Sequence, residues 1–125
     1  MGFFDAFLND KTNPWPGHIL KSINQFEIIL KASFSVPQLI FKHSTRCNIS
    51  HIVKSDFISN YGFSSDDFGL WHLDLLAYRN VSNAIAQRLG VAHQSPQLIV
   101  IKNAEALESA SHENIRDVLL CKYLN

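Results

Sequence analysis

The chain has 125 residues, 46% of them apolar by the AVILMFWYC count and 18% charged, with eleven basic side chains against eleven acidic ones. That describes one globular domain, long enough to remove roughly two-thirds of its unfolded surface from water without a metal or disulfide staple. Zero formal charge offers no positive field for a phosphate backbone, and the longest uncharged stretch, Leu89 to Ile101, contains His93 and Pro96 and is too short to cross a bilayer, so neither nucleic acid nor membrane is an expected partner. The opening Met-Gly-Phe-Phe-Asp-Ala-Phe-Leu lacks a basic n-region and a long apolar core, so no secretory signal is expected. Two well-separated cysteines, Cys47 and Cys121, do not make a disulfide scaffold, and a reducing cytoplasm is the expected location.

Residues 1–17 include Asn13-Pro14-Trp15-Pro16-Gly17, which no helix or central strand tolerates, and read as an N-terminal arm with its aromatics on the domain surface. Residues 18–125 read as a single domain. From His18 to about Ala32 the set Ile19, Ile23, Phe26 and Leu30 recurs at helical spacing and predicts an amphipathic helix. Val36 to Lys42 is a short apolar run bounded by Pro37 and a polar cluster, the pattern of a central strand buried on both faces. A polar turn, His43-Ser44-Thr45-Arg46-Cys47, leads into Ile49, Ile52, Val53 and Phe57, whose intervals predict a helix beginning near Thr45 to Cys47.

The pattern then predicts a strand at Leu70 to Leu75, a helix from about Ser82 to Leu89 closed by Gly90, and a strand at Gln97 to Lys102. Asn103-Ala104 turns the chain into a weak strand from Glu105 to Ala110, and Ser111 is expected to cap a last helix running to about Tyr123. This order alternates early and ends in a hairpin, which predicts an α/β fold with a central mixed sheet flanked by helices.

In such sheets the turn after the carboxyl end of a central strand is the favoured functional position, and Cys47 occupies it. A cysteine in the first turn of a helix feels unpaired N–H groups and the positive end of the macrodipole, and Arg46 adds a cation beside it; both favour the thiolate. Ser50 lies one helical turn on, a Cys-x-x-Ser arrangement whose hydroxyl is expected near the sulfur and which cannot close an internal disulfide. Gln94-Ser95-Pro96-Gln97 places a proline directly before an apolar strand.

Three segments carry a resemblance: Phe41-Lys42-His43-Ser44-Thr45-Arg46-Cys47-Asn48-Ile49-Ser50, Leu73 to Ser82, and His93 to Asn103, with Ala110-Ser111-His112 as a fourth ordered block. Together they closely resemble the YtxJ-type monothiol bacilliredoxins, thioredoxin-fold proteins of bacillithiol metabolism. The likeness covers about residues 35–123 and departs at Asn48, where the family usually has Pro, and at Ala104, where it usually has Gly.

The resemblance implies a three-layer thioredoxin-like fold with a cis Ser95-Pro96 bond facing Cys47. It implies a monothiol thiol-disulfide oxidoreductase in which Cys47 removes bacillithiol from protein mixed disulfides, with Arg46 and Ser50 assisting. It further implies that no cofactor is bound and that bacillithiol is the co-substrate. The implied partners are bacillithiolated client proteins, a low-molecular-weight thiol, and a thiol or flavin reductase. Substrate contacts are expected from Lys42, Thr45, Asn48, Ser95 and Pro96, with the Lys42 and Arg46 cations facing carboxylates of the small thiol.

Other readings are weaker. His43, Cys47 and His51 are spaced by four as metal ligands on one helix would be, but His43 belongs to the strand end. Monothiol glutaredoxins that carry iron-sulfur clusters share the Cys-x-x-Ser pattern, yet have Gly-Phe where Asn48-Ile49 stands. A thioredoxin-like binding domain with a non-catalytic thiol is the remaining alternative. His72 and His93 read as structural, while Asp74, Tyr78 and Arg79 should approach the active edge. On a continuous last helix Cys121 would sit about 15 Å from the Ser111 cap, packed as a small apolar residue beside the stripe Ile115, Val118 and Leu119, and would not resolve Cys47.

Overall fold

The computed structural model describes residues 14–125, so the first part of the arm, with Phe3, Phe4 and Phe7, lies outside the described residues. The elements are β1 (His18–Ile19), α1 (Ile23–Ala32), β2 (Gln38–His43), α2 (Asn48–Asn60), β3 (Gly69–Asp74), α3 (Arg79–Leu89), β4 (Gln97–Lys102) and β5 (Glu105–Ser111), followed by two 3-10 turns, His112–Asp117 and Leu120–Tyr123. The five strands form one sheet in the order β1-β3-β2-β4-β5. β1, β3 and β2 run parallel, while β4 and β5 are antiparallel to their neighbours, giving the expected mixed sheet.

All residues of β2 are buried, because the strand lies between β3 and β4 and is covered on both faces. Its side chains alternate: Ile40 joins Phe26, Ile29, Val81 and Ile85 under α1 and α3, and Leu39 and Phe41 join Val53, Leu98 and Ile115 under α2 and the first 3-10 turn. β4 spans the predicted Gln97–Lys102 and α3 closes at Gly90 in the left-handed conformation, as the sequence indicates. Asn103 and Ala104, both at positive φ, make the hairpin turn between β4 and β5.

Two elements depart from expectation. The first helix begins at Ile23, not at His18, because Ser22 and Gln25 form a reciprocal capping box: Ser22 Oγ accepts from the Gln25 N–H at 3.1 Å and Gln25 Oε1 accepts from the Ser22 N–H at 3.2 Å. His18 and Ile19 instead pair with Trp71 and His72 of β3. The buried stripe is accordingly Phe26, Ile29 and Leu30, with Ile19 and Ile23 exposed.

The chain after β5 is no continuous helix. Ser111 makes no side-chain cap bond, His112 stands at φ 57, and Val118 returns to extended backbone between the two short turns. Leu119 is 65% exposed and Cys121 is exposed, so the predicted stripe is reduced to Ile115 with half-buried Val118. These short turns leave an apolar cavity of about 290 Å³ against α2, lined by Val53, Phe57, Tyr61, Leu98, Ile115 and Cys121 among others.

The described part of the arm is held to the sheet. Trp15 stacks on Phe57 with ring centroids 6.0 Å apart and meets the His72 ring edge-on at 5.1 Å, half-buried where a surface position was expected. Gly17 presses on β3 so closely that a Cβ there would strike the Leu70 carbonyl oxygen, a backbone atom with no room to give. Gly17→Ala is expected to destabilise the fold by about 1–3 kcal/mol, read as a lower urea midpoint; an unchanged midpoint would show that the arm lifts from β3 without penalty.

Candidate functional site

β2 and β3 are parallel, so both end at the same edge, with His43 opposite Asp74. β4 is antiparallel to β2 and begins there, with Gln97 opposite Lys42, and Ser111 at the end of β5 pairs with Gln97. The topology therefore gathers the loop His43–Cys47, the Ser95–Pro96 turn, Asp74 and Ser111-His112 at one edge. The Ser95–Pro96 peptide is cis, and Pro96 O accepts from the His112 N–H at 3.0 Å.

Cys47 is the N-cap residue of α2, half-buried and free. Its side chain makes no cap hydrogen bond, so the first-turn amides, which have no partner inside the helix, face the sulfur's end of α2. The turn around it is laced by short-range bonds. The Cys47 N–H donates to Ser44 O at 3.2 Å, the His51 N–H donates to Cys47 O at 3.3 Å, and the His51 ring Nε2 donates to Thr45 O at 3.0 Å. Thr45, Arg46 and Asn48 stand exposed around the thiol.

Ser50 and Lys42 are placed differently from expectation. The Ser50 side chain is fully buried, and its Oγ accepts from the Ser44 N–H at 3.2 Å and lies 2.8 Å from His43 Nδ1. The hydroxyl is thus engaged by β2 and the turn, not by the Cys47 sulfur. Lys42 is fully buried on the opposite face of β2, where its Nζ donates to Ser82 O at 3.2 Å. Burial holds its ammonium down to a pKa of about 8, and the group is not presented to a ligand at the surface. Ser95 is half-buried, with an Oγ that has no partner among the described residues.

Sequence reasoning set His43, His51 and His72 aside, but the three rings meet beside the thiol turn. His43 lies 4.8 Å from His51, edge to face, and 5.4 Å from His72. Burial, with Lys54 next, depresses His43 to a pKa of about 4, and the same causes in the same order depress His72 to about 3. Both are neutral at physiological pH. The signal in the sequence was the alternation of β2, which turns His43 to the same face as Phe41. His43, Cys47 and His51 do not converge as ligands: among the described residues no group of three or more His, Cys, Asp or Glu side chains could hold a metal ion. Asp74 caps its own turn, its Oδ1 accepting from the Leu76 N–H at 3.1 Å and the Ala77 N–H at 3.2 Å. His93 is exposed, its Nδ1 3.1 Å from Ser82 Oγ.

Because Ser50 joins two buried polar groups, Ser50→Ala is expected to lower stability by about 1–3 kcal/mol, the desolvation penalty of leaving the Ser44 N–H and His43 Nδ1 unpaired. Chemical denaturation reads it directly, and a change within error would mean that water replaces the hydroxyl.

A mixed sheet with helices on both faces, a free cysteine at the N-cap of the helix following its central strand, and a cis-proline turn at the same edge define a thioredoxin-fold thiol protein. Solved structures agree. A protein with a thioredoxin fold matches at 26% identity, TM-score 0.63, over 79% of this chain and 85% of its own. The thioredoxin of Malassezia sympodialis matches at 16% identity and TM-score 0.65 over 84% and 86% of the two chains, and that of Schistosoma mansoni at 16% and 0.65 over 86% and 96%. The family model for the monothiol bacilliredoxin BrxC matches residues 18–120, and the chain belongs to that family. Fold and family together support a thiol redox function. No helix among the described residues is long and apolar enough to cross a membrane.

Proposed function

We propose that the protein is a monothiol thiol-disulfide oxidoreductase that removes bacillithiol from protein mixed disulfides through Cys47. The observation that carries the reading is the placement of Cys47: a free, half-buried N-cap residue of α2 with Ser50, not a second thiol, one turn further on. The Cys47 thiolate attacks the bacillithiol sulfur of a client mixed disulfide, that S–S bond breaks, and the client thiolate leaves and takes a proton from solvent. A new disulfide then joins Cys47 to bacillithiol. A second thiol, attacking as thiolate, forms a disulfide with the bacillithiol sulfur and restores Cys47, so the protein undergoes no net oxidation.

Arg46, Thr45 and Asn48 are the exposed side chains next to the thiol, and Arg46 is the cation suited to the small thiol's carboxylates. The Ser95–Pro96 turn, with Ser95 half-buried and Pro96 buried, stands at the same sheet edge and would border an extended client segment. Bacillithiol is co-substrate, and the cycle needs bacillithiolated clients, a low-molecular-weight thiol and a thiol or flavin reductase. The test is intact mass after incubation with oxidised bacillithiol: one bacillithiol adduct on Cys47, removed by excess free thiol, supports the reading. An unmodified Cys47 under conditions that label it with iodoacetamide overturns it.

A further inference from the structure

The apolar cavity of about 290 Å³ between α2 and the two 3-10 turns takes no part in the exchange proposed for Cys47. Val53, Phe57, Leu98 and Ile115 give it an apolar lining, and Cys121 shares it. A cavity of roughly 150 Å³ accommodates one benzene ring, so this one has room for about two aromatic side chains. Tyr61, another lining residue, carries a buried hydroxyl with no partner among the described residues. Burial, with Asp67 next, pushes its pKa up to about 12, so the group is a donor that lacks an acceptor.

The described chain begins beside this cavity. Trp15 stacks on Phe57 with ring centroids 6.0 Å apart, and Phe57 lines the cavity, so a single ring separates the arm from it. Residues 1–13 precede that contact and lie outside the described residues. Their sequence divides in two. Phe3, Phe4, Phe7 and Leu8 form an apolar block spaced to give one face at the helical period, with Asp5 as its one charged side chain, and Asn9-Asp10-Lys11-Thr12-Asn13 is a polar spacer. The six residue steps from Leu8 to Pro14 span at most about 20 Å, ample for a cavity that starts one ring from Trp15.

We propose that the phenylalanines of the segment Phe3–Leu8 seat in this cavity within the same molecule, so that the N-terminal arm is a strap that covers Cys121 and ties the 3-10 turns to α2. Three of the chain's nine phenylalanines fall in this short segment, apolar surface whose burial is favourable. A short linker holds the segment at an effective concentration on the order of millimolar, an advantage that no separate partner has. The segment's backbone carbonyls offer Tyr61 the acceptor it lacks. The strap packs on the helix that carries Cys47, but Val53, the cavity residue of α2 nearest to that thiol in the chain, stands nearly two turns further on. Cys121 is therefore the thiol that reports occupancy, and Cys47 is its internal reference.

The test is the rate of iodoacetamide labelling at each cysteine of the full-length protein, read by peptide mass. A variant combining Phe3→Ser, Phe4→Ser and Phe7→Ser changes no residue of the described fold. It should label Cys121 roughly tenfold faster than wild type, with the Cys47 rate unchanged. Equal Cys121 rates in the two proteins overturn the proposal. A second variant, Phe4→Cys in a Cys47→Ser background, locates the segment: the expected product of mild oxidation is a disulfide between position 4 and Cys121 within one molecule. A bridge found only between two molecules overturns the strap and gives the cavity to the segment of a second copy, and the absence of any bridge to Cys121 overturns the docking itself. Neither readout involves bacillithiol, so this inference and the proposed function stand or fall separately.

Discussion

Cys47→Ser is expected to reduce transfer of bacillithiol from a client protein to the uncatalysed background, while Cys121→Ser keeps the wild-type rate. Serine is nearly isosteric with cysteine but does not form the mixed disulfide, so the first variant loses the covalent step and keeps the fold. The second expectation rests on where Cys121 lies. Among the α2 residues that share its cavity, Val53 is the nearest to Cys47 in the chain, followed by Asp56, Phe57 and Asn60. At 1.5 Å per residue Val53 is already about 9 Å along the axis from Cys47, whereas a disulfide needs Cα atoms roughly 4.4–6.8 Å apart. Both thiols are free in the structure. Peptide mapping after mild oxidation checks the point: a Cys47–Cys121 bridge in folded protein would make the mechanism dithiol and reverse the expected behaviour of Cys121→Ser.

The expectation about Cys121 is retained on different ground from the one the sequence suggests. A uniform helix after Ser111 places Cys121 by its rise per residue, and that helix is absent; the helical spacing of Ile115, Val118 and Leu119 is present, but only Ile115 is buried. Periodicity reports which residues could share a face and says nothing of a backbone that opens at φ 57 on His112. β1 was hidden for a related reason: a strand of two residues has no period, and His18 and Ile19 are placed by backbone pairing to β3 with their side chains exposed. The central strands were legible because burial on both faces leaves a continuous apolar run, interrupted in β2 by Lys42, whose ammonium finds the Ser82 carbonyl.

The candidate site divides in the same way. Cys47 was legible from its position after a central strand, and the cis Ser95–Pro96 bond from the family resemblance. The partner of Ser50 was not, because a Cys-x-x-Ser spacing suggests an interaction within the helix and the actual partner, His43, comes from the strand before it. Local spacing cannot rank a neighbour one turn away against a buried imidazole that reaches the same oxygen by alternation of β2 and the fold of the turn.

The two buried imidazoles also set the acid limit of the fold. An unfolded histidine titrates near 6.5, while burial first and Lys54 next hold His43 at about 4 and His72 at about 3 in the native protein. Between these values the unfolded chain binds protons that the native one refuses, so unfolding stability falls as pH falls, beginning near 6.5 and levelling off below the native values. At pH 4.5 the loss is roughly 2–3 kcal/mol for each ring, a large share of the 5–15 kcal/mol typical of a domain. Urea denaturation at pH 7 and pH 4.5 measures the loss. His72→Phe keeps a ring against Trp15, which meets His72 at 5.1 Å, and removes one titrating group from the pair. The variant should therefore lose only about half as much stability as wild type between the two pH values. Equal losses in both proteins would show that His72 titrates alike folded and unfolded, and would place it in water, not beneath Trp15.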